Sequence, residues 1–221
     1  GLQKGHQGNE VGGGVRCLIF GSAKMDSYDF LTEYDIENSY IICADGGYRH
    51  AEKMGVVPDL WLGDGDSGCV DVVRAKEIKT FPARKDFTDT DLAVEEALKR
   101  GAEEIIIAGG IGGRLDHEFS HFCLLKKILD RGAKGYLVNE KNEITMENKS
   151  FTLHKNGKNY VSFFPYGGAV TGFSISGLRY SAKNLMLDCG MVQASSNCFD
   201  DETEAHVSFD SGYVLVMRAC D

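Results

Sequence analysis

Apolar residues along this chain follow two regimes that meet near residue 140. Before that point, short β-rich apolar runs alternate with stretches of helical periodicity. The runs are 15–20, 40–44, 60–63, 78–81, 104–108 and 135–138, and the helical stretches are 48–54, 89–100 and 116–130. Short apolar runs bounded by turn residues read as strands, whereas apolar positions three and four apart read as one face of a helix. Each helical stretch closes with a basic residue in its last turn and a glycine just beyond it: Gly55, Gly101 and Gly132. Glycine takes the left-handed position past a helix end, and the cation offsets the negative end of the helix dipole. The alternation predicts βαβ units and a mostly parallel sheet, Rossmann-like but non-standard. After residue 140 the helical period disappears. Strand-like runs at 150–154, 159–164, 169–176, 184–188, 205–209 and 213–218 are separated by Gly, Asn and Ser, which predicts a small antiparallel sandwich or barrel. The expected organisation is a flexible segment 1–14, an α/β domain 15–140 and an all-β domain 141–221, of which we favour the sandwich.

Composition narrows the function. With 221 residues, 43% of them hydrophobic, the chain can bury a core without disulfide or metal staples. A net charge of −9 argues against a nucleic-acid partner, because a phosphate backbone demands a surplus of Lys and Arg on one face. Seven cysteines, none in a C-x-x-C pair, read as free thiols in a reducing compartment, the cytoplasm. No apolar run approaches the ~18 residues of a membrane span, and the first 14 residues lack the apolar stretch of a signal peptide.

In an open parallel sheet, ligands bind beyond the carboxyl ends of the strands. Four consecutive predicted strands end in acids, glycines or bases: Asp45-Gly46-Gly47; Gly63-Asp64-Gly65-Asp66-Ser67; Arg84-Lys85-Asp86 running on to Asp89 and Asp91; and Gly109 to His117. Asp64 and Asp66, two apart in a Gly-rich loop, can aim two carboxylates at one hard cation and leave positions open for phosphate oxygens. The plainer alternative is a solvated Asp-Gly turn. Asp89 and Asp91 open a helix with Thr88 as its N-cap, so they also serve the helix dipole; Lys85 just upstream adds a phosphate partner. The Gly109–Gly113 stretch resembles a phosphate loop leading into a helix, with Arg114 as a phosphate fork, but it fits neither G-x-G-x-x-G nor the Walker A pattern. His117-Glu118-Phe119-Ser120-His121 matches the zinc-peptidase pattern H-E-x-x-H, with Glu140 or Glu143 as third ligand. In the second half, Ser195-Ser196-Asn197 forms a polar patch that composition alone assigns to a loop.

Taken together these residues resemble the thiamine pyrophosphokinase family, bacterial type. The resemblance rests on Ala44-Asp45-Gly46-Gly47, Pro58-Asp59, Gly63 to Ser67, Lys85 to Ala93, Gly112 to His117, Gly177 to Tyr180, Ser195 to Asn197 and Val207 to Val216, in that order over about 15–218. It implies pyrophosphate transfer from ATP to the thiamine hydroxyl, giving thiamine diphosphate and AMP, by a homodimer. It further implies that Asp45, Asp64, Asp66 and Asp89 hold Mg²⁺, with Asp66 the candidate proton acceptor. Gly46, Lys85, Asp91, Gly112, Gly113, Arg114, Asp116 and His117 would take or support the nucleotide, and Ser195, Ser196 and Asn197 would contact thiamine, with the partner subunit a possible source. Three readings from other classes stay open: a D-x-D nucleotide-sugar transferase, a zinc peptidase, and a non-catalytic nucleotide or thiamine-binding regulator.

Overall fold

The computed structural model describes residues 14–64, 73–82 and 87–221. The first half supplies β1 (Arg16–Phe20), β2 (Tyr40–Ala44), α1 (Tyr48–Met54), β3 (Leu60–Gly63), β4 (Glu77–Thr80), α2 (Asp89–Lys99), β5 (Glu104–Ala108), α3 (Leu115–Asp130) and β6 (Lys134–Val138). These elements follow the predicted runs to within two residues. Gly55, Gly101 and Gly132 hold φ of 68°, 75° and 85°, so the glycine stops act as expected. The second half supplies β7 (Asn142–Glu147), β8 (Phe151–His154), β9 (Tyr160–Pro165), β10 (Val170–Ser176), β11 (Ala182–Leu187), β12 (Asn197–Cys198), β13 (Glu204–Ser208) and β14 (Val214–Ala219).

One sheet of ten strands runs through both halves, in the order β12-β9-β14-β7-β6-β5-β1-β2-β3-β4. Strands β6 to β4 in that order are parallel to their neighbours. The direction reverses at β7, which pairs antiparallel with β6 through Leu137–Ile144 and Val138–Glu143. β14 then slots between β7 and β9. A second sheet, β11-β10-β13-β8, covers the antiparallel end. The sandwich is therefore present, but one of its two layers is the continuation of the α/β sheet rather than a separate one.

Alternation along the strands sorts the core into three parts. On one face Ile19, Ile42, Leu62 and Ile107 pack under α2 and α3 through Val94, Ala97, Leu125 and Ile128. On the other, Leu18, Phe20, Trp61 and Ile106 pack under α1 and the 3-10 turn Asp29–Tyr34. Beyond β7 that second face meets the small sheet, where Phe163, Val214 and Val216 oppose Phe173, Ile175 and Val207. Among the described residues, no helix is long and apolar enough to cross a membrane.

Candidate active site

In chain order the parallel strands build outward from β1 through β2, β3 and β4, then restart with β5 on the other side of β1. That restart is a topological switch point, where two strand ends diverge and leave a crevice. Beyond the strands the two tips stay linked: Gly21 N–H donates to Ala108 O at 2.7 Å and Ala23 N–H to Gly109 O at 2.8 Å. A Cβ on Gly21 would lie 2.6 Å from Gly109 O, and one on Gly109 2.5 Å from Gly21 O, so only glycine permits this approach.

A cleft of about 540 Å³ opens at this point. Its walls are Ser22 and Ala23 after β1, Asp45 after β2, Asp64 after β3, Thr88 to Thr90 at the start of α2, and Gly109, Gly110, Gly113, Arg114, His117, Glu118 and His121 around the start of α3. Three of the predicted carboxylates, Asp45, Asp64 and Asp89, thus come to one cleft from three different elements. Asp45 is held at φ 45°, an uncommon conformation for a residue with a Cβ, and Trp61 Nε1 donates to its carbonyl at 3.0 Å. Thr88 caps α2 by accepting from Asp91 N at 3.1 Å, as the sequence predicts. The donor set is all carboxylate oxygen, which suits a hard divalent cation. Among the described residues no three acids, imidazoles or thiols cluster tightly enough to hold a metal by themselves. A cation at this cleft would therefore share its coordination with oxygens from a ligand or water. Asp66 and Lys85 lie outside the described residues.

Two family models match the chain: the thiamin pyrophosphokinase catalytic domain over residues 32–137 and the thiamin pyrophosphokinase vitamin B1 binding domain over residues 143–214. The chain belongs to the thiamin pyrophosphokinase family. The thiamine pyrophosphokinase of Bacillus subtilis (strain 168) is 29% identical over 96% of this chain and 98% of its own length. The crystal structure of thiamine pyrophosphokinase from B. subtilis superposes with a TM-score of 0.83 at 26% identity, covering 93% of this chain and 99% of the other. The structure of thiamin pyrophosphokinase from Geobacillus thermodenitrificans gives 0.81 at 26%, covering 94% and 98%.

Of the residues that the family resemblance assigns to the nucleotide, Gly113, Arg114 and His117 line the cleft, while Gly46, Asp91, Gly112 and Asp116 do not. Asp91 instead accepts from Lys127 Nζ at 2.7 Å and ties α2 to α3. Arg114 forks onto Asp116, Nε to Oδ1 at 3.1 Å and Nη2 to Oδ2 at 2.6 Å. Two buried histidines shape the walls: His121, which the sequence offered as a zinc ligand, and His50, which the sequence reading passed over. His121 Nδ1 donates to Gly110 O at 2.7 Å, and His50 Nε2 donates to Ala23 O at 2.8 Å while its Nδ1 accepts from Tyr28 Oη at 2.8 Å. A carbonyl can only accept, so these contacts fix both tautomers. Burial pulls both imidazoles below their usual value, which keeps them neutral.

The zinc-peptidase reading fails for want of a ligand set. Among the described residues no three His, Cys, Asp or Glu side chains come together to hold a metal, and the two candidate third ligands are engaged elsewhere: Glu140 accepts from the Asp26 and Ser27 amides, and Glu143 accepts from Tyr34 Oη. Ser195, Ser196 and Asn197 stand well away from the cleft. Ser195 Oγ donates to Val192 O at 2.7 Å. Ser196, at φ 56°, is exposed and donates its N–H to Ser162 Oγ. Asn197 is buried, and its amide bridges Tyr180 N and Tyr180 O. Asn197 opens β12, five strand positions from β5, which is roughly 24 Å along the sheet at the usual spacing.

Proposed function

We propose that this chain transfers pyrophosphate from ATP to the hydroxyl of thiamine, giving thiamine diphosphate and AMP. The observation that carries the reading is the convergence of Asp45, Asp64 and Asp89 on one switch-point cleft in a chain of this family. The thiamine oxygen attacks the β-phosphorus, the bond from that phosphorus to the α,β-bridging oxygen breaks, and AMP leaves with its electrons. The hydroxyl proton passes to a carboxylate, for which Asp66 is the candidate. Asp45, Asp64, Asp66 and Asp89 would hold Mg²⁺, which when bound supplies the positive charge that lets an acidic cleft accept a polyphosphate. Arg114, Lys85 and the loop amides orient the phosphates, with Asp116 and His117 supporting the loop. Positioning and charge dominate such transfers, since little covalent work falls to the protein.

Ser195, Ser196 and Asn197 cannot reach this cleft in their own subunit, because the span is far longer than a thiamine molecule. We therefore place them against the partner's cleft in a homodimer, with residues 15–140 as the Rossmann-like ATP and Mg²⁺ domain and 141–221 as the thiamine-binding and dimerisation domain. The free thiols, six among the described residues, favour a reducing, cytoplasmic setting.

The test is incubation with ATP, Mg²⁺ and thiamine, read by mass. Thiamine diphosphate and AMP should form one to one. Asp64→Ala should cut turnover by about 100-fold or more while leaving the circular dichroism unchanged. Binding without AMP release, or full activity in the variant, sinks the assignment.

A further inference from the structure

The amides that should receive phosphate already hold an anion. Glu118 Oε1 accepts from Gly112 N at 2.9 Å and from Gly113 N at 2.8 Å. Gly112 holds φ 100°, a conformation in which glycine is at ease, and successive N–H groups in such a turn form a concavity for a negative charge. Glu118 and Gly113 both line the cleft. The neighbouring cation is engaged in the same way: Arg114 lies forked on Asp116, and both side chains are largely exposed. The Gly112 and Gly113 amides and the Arg114 guanidinium are thus each satisfied by an acid from the first turn of α3.

A phosphate oxygen and the Glu118 carboxylate cannot use the same two N–H groups. The carboxylate sits one turn along the helix from the loop and is half-exposed, so rotation about its side chain releases it to water. The exposed Arg114–Asp116 fork is cheap to open. A polyphosphate carries more charge than a carboxylate and offers more acceptors. We propose that Glu118 is a stand-in anion, which fills the amide concavity while the cleft is empty and is exchanged for a phosphate group when the nucleotide enters. This rests on the nucleotide reading of the cleft and adds a residue that sets its affinity through competition.

Two substitutions separate competition from scaffolding. Glu118→Gln keeps an oxygen that can accept from both amides but removes the charge, whereas Glu118→Ala removes both. Inorganic triphosphate and a non-hydrolysable ATP analogue would be titrated by calorimetry with Mg²⁺, alongside KM and kcat for ATP. Competition predicts that both variants bind triphosphate and analogue more tightly, by about fivefold, with a matching fall in KM. Weaker binding by Glu118→Ala with Glu118→Gln like wild type would make Glu118 a loop brace and overturn the proposal. So would unchanged binding in both variants, or a loss of kcat without a change in binding. The triphosphate titration does not involve thiamine, so failure of the thiamine assay with the expected titration would sink the functional reading and leave this one standing.

Discussion

A methyl group on Gly47 would sit 1.9 Å from the carbonyl oxygen of Phe20. That oxygen belongs to the backbone of β1, so no side chain can swing away to make room. Gly47, the second glycine after Asp45, is therefore a packing requirement: it lets α1 start directly against the tip of β1 and leaves the Asp45 carboxylate at the cleft. Gly47→Ala should destabilise the fold by about 3 kcal/mol or prevent folding. Urea denaturation measures this, and a loss below about 0.5 kcal/mol would show that the strand tip yields. The same residue-level reading explains Trp61. It is fully buried, yet its one polar atom is satisfied by the carbonyl of Asp45, the residue with the uncommon φ. Gly63 must lack a side chain because a Cβ there would meet that indole at 2.7 Å.

At the scale of elements, α2 presents Asp89 to the cleft from its first turn and is clamped at its other end. Glu96 accepts from Lys79 Nζ of β4 at 2.8 Å and from Arg100 Nη1 at 2.6 Å. Burial by itself would raise the Glu96 carboxyl, but hydrogen bonds from Lys79 and Arg100 outweigh it and hold the group at about 2, against an ordinary 4.5. A folded value below the unfolded one adds stability that is complete above pH 4.5 and fades as the pH falls toward 2. The shift corresponds to about 3 kcal/mol, and screening of the partly exposed partners reduces the expected figure to about 2. Glu96→Gln should lower the unfolding free energy by that amount at pH 7, with the gap closing near pH 2. Unfolding titrations at both pH values check it, and a gap that persists at low pH would assign the effect to packing. Elements such as α2 were legible in the sequence because their signals are local: Thr88 caps within three residues and Gly101 stops within one. β7 was not. Only Ile144 and Met146 are apolar in Asn142–Glu147, since the alternate face carries Glu143 and Glu147, whose partners Arg218 and Lys134 come from other strands. A polar face paired inside the protein has the same pattern as one facing water.

For the whole molecule, the convergence of Asp45, Asp64 and Asp89 could be read in advance because it follows from where parallel strands end. The remoteness of Ser195–Asn197 could not, because it depends on strand order. That order makes the two-subunit site testable. Asp64→Ala disables the cleft, and Ser196→Arg, at an exposed position, blocks the proposed thiamine contact. Each variant alone should be inactive. Mixed and allowed to exchange subunits, they should recover about a quarter of wild-type activity, since half of the dimers would carry both chains and each of those would hold one intact site. No recovery, despite exchange confirmed by native mass spectrometry, would place both sets of residues in one subunit.

The position of β14 has a consequence for the making of the protein. It separates β7 from β9, yet it is translated after both and after the whole small sheet. The parallel half can close as it leaves the ribosome, while β7 and β9 emerge with unpaired edges flanking a gap that nothing yet fills. Open edges recruit strands from other chains. Slowing translation between 166 and 213 with rare codons should therefore raise the insoluble fraction without altering the finished fold, as fractionation of expressing cells would show. An unchanged soluble fraction would mean that the open edges are protected until residues 214–219 arrive.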